Sequence, residues 1–196
     1  RAFGEDVVPC SYDDLDEADL ILLVGSNTAW CHPVIWQRIE RAREARGTKI
    51  VVIDPRRTET AAGADLHIPI APDGDIALFN ALLAVMRERG LLDEAYLSGH
   101  CDVPAGFWED LSQDSVIEPE LFARLADMVA AHPRMITLFS QGSNQSVSGT
   151  DKGNAIINLH LATGRIAKPG AGPFSITGQP NAMGGREVGG LATSLA

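Results

Sequence analysis

The chain has 196 residues, 45% of them hydrophobic and 21% charged, proportions of a globular domain that buries a sizeable core. Its formal net charge of −10 speaks against nucleic acid or an anionic membrane surface as the main partner, and no apolar run reaches the roughly 18 residues of a membrane span. Three widely spaced cysteines, Cys10, Cys31 and Cys101, form no CxxC pair. That pattern argues against a disulfide framework and a cysteine-ligated cluster within this segment, and suits a reducing, cytoplasmic compartment.

The first element is a buried strand over residues 19–24, a short apolar run stopped by Gly25. Pro33 opens a helix at its first turn, where the missing N–H costs nothing, and Gly47 ends it. Lys49 to Ile53 reads as a second strand closed by Asp54-Pro55, and Leu66 to Ile70 as a shorter third. Gly74 to Arg89 is a helix with Ile76, Leu78, Phe79, Leu82, Leu83 and Met86 at helical spacing; Asp73 or Asp75 can cap its start. One or two turns over 93–98 follow, and residues 100–117 are poorly patterned and read as an excursion. A helix over 118–131, a strand Met135–Phe139, a polar loop Ser140–Thr150 and a helix from about Asp151 to Thr163 complete the regular pattern.

Strands alternating with helices predict an α/β domain: an open, doubly wound, mainly parallel sheet of four or five strands with helices on both faces. Ligands of such sheets sit beyond the carboxyl ends of the strands. That rule singles out Gly25–His32, Asp54–Thr58, Ala71–Asp75 and Ser140–Thr150.

Within these loops, Gly25-Ser26-Asn27 runs from a strand into a helix N-terminus, a place for phosphate, although an ordinary βα turn has the same composition. Asp54, 29 residues after Gly25, suits ribose hydroxyls or a base edge, with Arg56 and Arg57 beside it. A solvated turn built on Pro55 would look alike. Gln141, Asn144 and Gln145 offer amides to a purine or pterin edge, or merely make a hydrophilic loop. The five histidines show no paired metal spacing, adjacent Cys31 and His32 do not make a catalytic pair, and no Ser–His–Asp arrangement can be argued.

The C-terminal run Gly178-Gln-Pro-Asn-Ala-Met-Gly-Gly-Arg-Glu-Val-Gly-Gly190 packs five glycines around one arginine, Arg186. Neither helix nor strand keeps that composition. It suits a backbone that approaches a ligand closely, and equally a long surface loop.

Together with Val24-Gly-Ser-Asn-Thr-Ala-Trp-Cys-His-Pro33, Asp54-Pro-Arg-Arg-Thr58, Ala71-Pro-Asp-Gly-Asp75 and Gln141-Gly-Ser-Asn-Gln145, that run resembles the prokaryotic molybdopterin oxidoreductases of the dimethyl-sulfoxide-reductase family. The likeness spans essentially the whole chain and is strongest to assimilatory nitrate-reducing members; formate dehydrogenases of the family differ at Arg186-Glu187-Val188. It implies a Rossmann-like dinucleotide-binding domain over 1–163 and a glycine-rich active-site segment over 164–196. The implied cofactor is molybdenum bis(molybdopterin guanine dinucleotide), and the implied reaction is two-electron reduction of nitrate to nitrite.

By the resemblance, Val24, Gly25, Ser26 and Asn27 line pyrophosphate and ribose. Asp54, Arg56 and Thr58 contact the guanosine half, and Asp73 and Asp75 meet guanine or ribose. Gln141 and Gln145 touch the pterin-side dinucleotide, and Arg186 draws nitrate to the metal. The family's [4Fe–4S] cysteine motif, its molybdenum ligand and its C-terminal domain have no counterpart here, so the chain reads as an inactive central fragment of a larger enzyme. Implied partners are nitrate and an electron-donor protein or reductase subunit, with neither nucleic acid nor membrane. Another oxidoreductase of the family, such as a formate dehydrogenase, and a non-catalytic nucleotide-binding module are the alternatives.

Overall fold

The computed structural model describes Phe3, residues 8–111 and residues 116–177. The run from Gly178 onward, with Arg186, lies outside the described residues. In chain order the elements are α1 (Asp14–Glu17), β1 (Leu20–Val24), α2 (Thr28–Cys31), α3 (Pro33–Arg46), β2 (Lys49–Ile53), α4 (Glu59–Ala62) and β3 (Leu66–Ile68). Then come α5 (Asp75–Glu88), α6 (Glu94–His100), α7 (Pro119–Ala131), β4 (Met135–Phe139), α8 (Gln141–Asn144), α9 (Gly149–Ala162) and β5 (Gly172–Ser175).

The five strands form one sheet in the order β3-β2-β1-β4-β5, and every neighbouring pair is parallel. In β1 all five residues are buried, as a strand covered on both faces requires. Leu20, Leu22 and Val24 pack on one side with residues of α5, α7 and α9. Ile21 and Leu23 pack on the other with Leu15, Ile39 and Ala61, from α1, α3 and α4. The doubly wound α/β expectation holds.

The differences from the sequence reading have local causes. The third strand stops at Ile68 because Pro69 has no N–H to continue the ladder. The run Ser140–Thr150 is not all loop: it contains the single turn α8, and α9 begins at Gly149 rather than near Asp151. Neither Asp73 nor Asp75 caps α5 with its side chain; the N-cap is Gly74. The turn over 93–98 runs as α6 to His100 with Asp93 as its capping side chain, which accepts from Tyr96 N–H at 2.9 Å.

The unforeseen fifth strand, Gly-Pro-Phe-Ser, carries residues that argue against a strand, but it lies at the sheet edge, where proline is tolerated. The excursion packs rather than strays. Phe107, Trp108 and Leu111 lie against the α5 side of the core, and the Arg87 guanidinium sits 5.0 Å from the Trp108 ring centroid.

His160 of α9 is fully buried against the sheet, its Nε2 2.7 Å from the Thr137 hydroxyl of β4. Burial, then the nearby Arg165 guanidinium, hold its pKa well below the ordinary 6.5. The folded protein therefore refuses a proton that the unfolded chain accepts below pH 6.5. Stability from this source is complete above that pH and is lost as the pH falls. Between pH 5 and 6 we expect a slope of up to about 1.4 kcal/mol per pH unit that His160→Gln removes; pH-dependent urea unfolding of the two proteins measures it.

Candidate functional site

All five strands point the same way, so the loops after β1, β2, β3 and β4 gather at one edge of the sheet. The chain leaves β1 into α3 on one face and β4 into α9 on the other. Between adjacent β1 and β4 the connections diverge, and the crevice opens there.

That crevice is drawn shut at its base by backbone. The Ser140 N–H donates to the Val24 carbonyl at 3.2 Å, and the Gly142 N–H to the Gly25 carbonyl at 3.0 Å. Gly25 has φ +55°, in the region that favours glycine. A Cβ on Gly25 would lie 2.5 Å from Ser143 N, and one on Gly142 would lie 2.7 Å from the Gly25 Cα. Two residues without side chains thus meet at the switch point. Beside them the Ser143 hydroxyl is buried and has no hydrogen-bond partner among the described residues.

The other loops are braced from within. Ser26 is buried and shares a 2.9 Å hydrogen bond with the Thr28 hydroxyl. The Asn27 Oδ1 accepts from the Thr60 hydroxyl at 2.8 Å, and that same hydroxyl accepts from Ala29 N–H at 3.0 Å, tying α2 to α4. The Ser26 hydroxyl and the Asn27 Oδ1 are thus engaged within the fold, while the half-buried Asn27 and the backbone of the turn lie at the carboxyl edge.

Buried Asp54 accepts from its own turn at Arg56 N–H, 2.8 Å away, while the Arg56 side chain is exposed. The His67 Nε2–H donates to the Asp54 carbonyl at 2.9 Å. Thr58 caps α4, accepting from Ala61 N–H. Gln141 and Gln145 are exposed at either end of α8.

Asp73 and Asp75 reveal a residue that sequence reasoning missed. Lys152 of α9 is 2% exposed, and its Nζ lies 2.7 Å from the Asp73 Oδ1 and 3.3 Å from the Asp75 Oδ2. Burial alone would lower the lysine pKa, but the two carboxylates outweigh it and raise it. The Lys152 hydrogen bond and charge hold the Asp73 carboxyl below its usual range. Lys152 gave a weak signal in the sequence: it is the only lysine between Lys49 and Lys168, and it stands four residues from the buried Ile156 on a core-facing helix. Thr60, Gly142 and Ser143 were missed as well; Gly142 and Ser143 lie inside a segment read as loop.

At the rim, the His32 ring approaches the Thr177 carbonyl at 3.2 Å through Nε2. The helix α2–α3 junction therefore touches the last described residue before the glycine-rich run.

A family description, molybdopterin oxidoreductase, matches residues 2–195. The chain belongs to the molybdopterin oxidoreductase family. A nitrate reductase of Shewanella frigidimarina is 49% identical over 215 residues, which cover all of this chain and 22% of the relative. A nitrate reductase of Klebsiella oxytoca is 50% identical over 200 residues, covering all of this chain and 23% of the relative. The chain thus spans between a fifth and a quarter of these relatives. The acetylene hydratase from Pelobacter acetylenicus superposes with a TM-score of 0.65 at 20% identity, covering 82% of this chain and 25% of that one, which supports the fold alone.

The family implies a molybdenum–pterin cofactor. The edge described here fits such a group in its donor set. It offers a side-chain-free crevice base, a buried hydroxyl lacking a partner among the described residues, exposed Arg56 and the amides of Gln141 and Gln145. Gly142→Ala is expected to lower stability by about 1–3 kcal/mol through the clash with Gly25. A lower thermal midpoint checks it; an unchanged midpoint would show that the two loops separate without cost.

Proposed function

We propose that this chain is the central α/β portion of the catalytic subunit of a molybdenum-dependent nitrate reductase. It would work at a bis(molybdopterin guanine dinucleotide) centre. The observation that carries the reading is the similarity of the whole chain, at about half its positions, to two nitrate reductases. Family membership also weighs against a non-catalytic nucleotide-binding module.

In this reading the Val24–Asn27 backbone and its partner Gly142 take the pyrophosphate and ribose. Asp54, Arg56 and Thr58 take the guanosine half, Asp73 and Asp75 its base or ribose edge, and Gln141 and Gln145 the pterin-side dinucleotide. When bound, the cofactor supplies the two-electron redox chemistry. Nitrate takes up two electrons and two protons and yields nitrite and water. Electrons would come from a donor protein or reductase subunit by way of a [4Fe–4S] cluster held elsewhere in the parent enzyme. The cytoplasm is the proposed compartment; among the described residues no helix is long and apolar enough to cross a membrane.

Arg186 is assigned to the substrate. A guanidinium among glycines has no side-chain neighbour in sequence except Glu187, its adjacent residue. Charge-assisted hydrogen bonds from it to a nitrate oxygen are worth about 1.5–3 kcal/mol each. We expect Arg186→Ala in the full-length enzyme to lower kcat/KM for nitrate by about one to two decades. Molybdenum content and melting temperature serve as controls. Wild-type kinetics in the variant, or a loss matched by lost cofactor, would remove the substrate role. A full-length protein that oxidises formate and leaves nitrate unreduced would move the assignment to the formate branch.

A further inference from the structure

Lysine is almost never fully buried unless it is paired, and Lys152 is paired twice. The pairing is lopsided. The Lys152 and Asp75 side chains are 3% and 9% exposed, whereas the Asp73 side chain is 65% exposed. The cluster therefore has a buried root and one carboxylate standing out at the carboxyl edge of the sheet.

Asp73 also has φ +67°, a left-handed backbone that a non-glycine residue adopts at a cost. Such conformations persist where the surroundings over-determine them, and they cluster where a side chain must be aimed. Here Lys152 does the determining, with a further hydrogen bond from the Ser148 side chain. A carboxylate has about four acceptor sites, so these two donors leave Asp73 able to accept more.

We propose that Lys152 is a positioning residue for the nucleotide end of the cofactor. From α9 it locks the β3–α5 loop so that the exposed Asp73 carboxylate receives N–H donors of the base. The inference rests on the dinucleotide reading above. A purely structural link across α5 and α9 would need only the buried Asp75; it would not need a second, exposed carboxylate held in a strained turn. The net charge of the trio is −1, which favours a donor-rich base edge over a phosphate at this point.

The test uses full-length enzyme prepared with and without cofactor. Two quantities are read: guanosine monophosphate released by acid hydrolysis per chain after dialysis, and the rise in melting temperature on cofactor loading. In Lys152→Met the cofactor is expected to bind about one to two decades more weakly. Nucleotide retention then falls, the rise in melting temperature shrinks, and Lys152→Arg recovers most of both. If Lys152→Met lowers the melting of loaded and cofactor-free protein equally, with retention unchanged, the role is structural and the inference is overturned. Should Lys152→Met fail to fold, Asp73→Asn decides, because it keeps Lys152 beside Asp75. Lost retention with an unchanged cofactor-free melting point supports the proposal; unchanged retention sinks it. A wild-type enzyme that releases no guanosine monophosphate defeats the dinucleotide reading itself, a separate outcome.

Discussion

The close approach of Gly25 and Gly142 is the constraint on which the site depends. Their backbones hydrogen-bond across the top of β1 and β4, and neither position has room for a methyl group. Parallel pairing brings the two strands side by side in register, Val24 opposite Phe139. Oppositely directed connections then pull the following chain to different faces. What is left between is a crevice whose base is peptide groups, and peptide groups are what a phosphate-bearing ligand meets most readily. Ser143, whose backbone N would meet a Cβ on Gly25, carries a buried hydroxyl without a partner among the described residues.

Much of this was legible in the sequence because parallel strands buried on both faces announce themselves. Leu-Ile-Leu-Leu-Val, Lys-Ile-Val-Val-Ile and Met-Ile-Thr-Leu-Phe are continuous apolar runs with little polar alternation, and each became a strand. The helix α3 was equally plain, with proline at its first turn and Gly47 left-handed at its end. The carboxyl-edge loops followed from topology alone. What stayed hidden depended on partners far away in the chain. The edge strand β5 forms only because β4 lends it a ladder, which no pattern within Gly-Pro-Phe-Ser can reveal. That Asn27 also braces the fold was hidden, because its Oδ1 accepts from Thr60, 33 residues on. Lys152 was not singled out at all, because its burial depends on two aspartates more than seventy residues earlier in the chain.

Charge is distributed in keeping with this division of labour. At the amino edge, acidic and basic side chains meet over the strand starts: Arg134 donates to Asp19 at 2.8 Å and Arg38 to Asp13 and Asp16 at 2.5 Å. These are exposed pairs, each worth little alone. At the carboxyl edge Asp54 is engaged by its own turn and Asp73 and Asp75 share Lys152, while the Arg56 side chain stays exposed with its Nε 3.7 Å from the Asp54 carboxylate. An overall charge of −10 is thus compatible with an edge that receives an anionic ligand, because the local donors there are backbone and arginine.

The two walls of the crevice are made far apart in time. Gly142 is synthesised 117 residues after Gly25, and at about 5–20 residues per second that is an interval of roughly six to twenty-three seconds. Without β4 the strand order leaves only β3-β2-β1, with the wholly apolar β1 at the edge, the kind of edge that invites pairing with another chain. The strand that shields this edge is the same one that supplies the second wall. The residues that follow this strand bring Gly142 onto Gly25, so covering the apolar edge of β1 and closing the base between the two loops are one folding event.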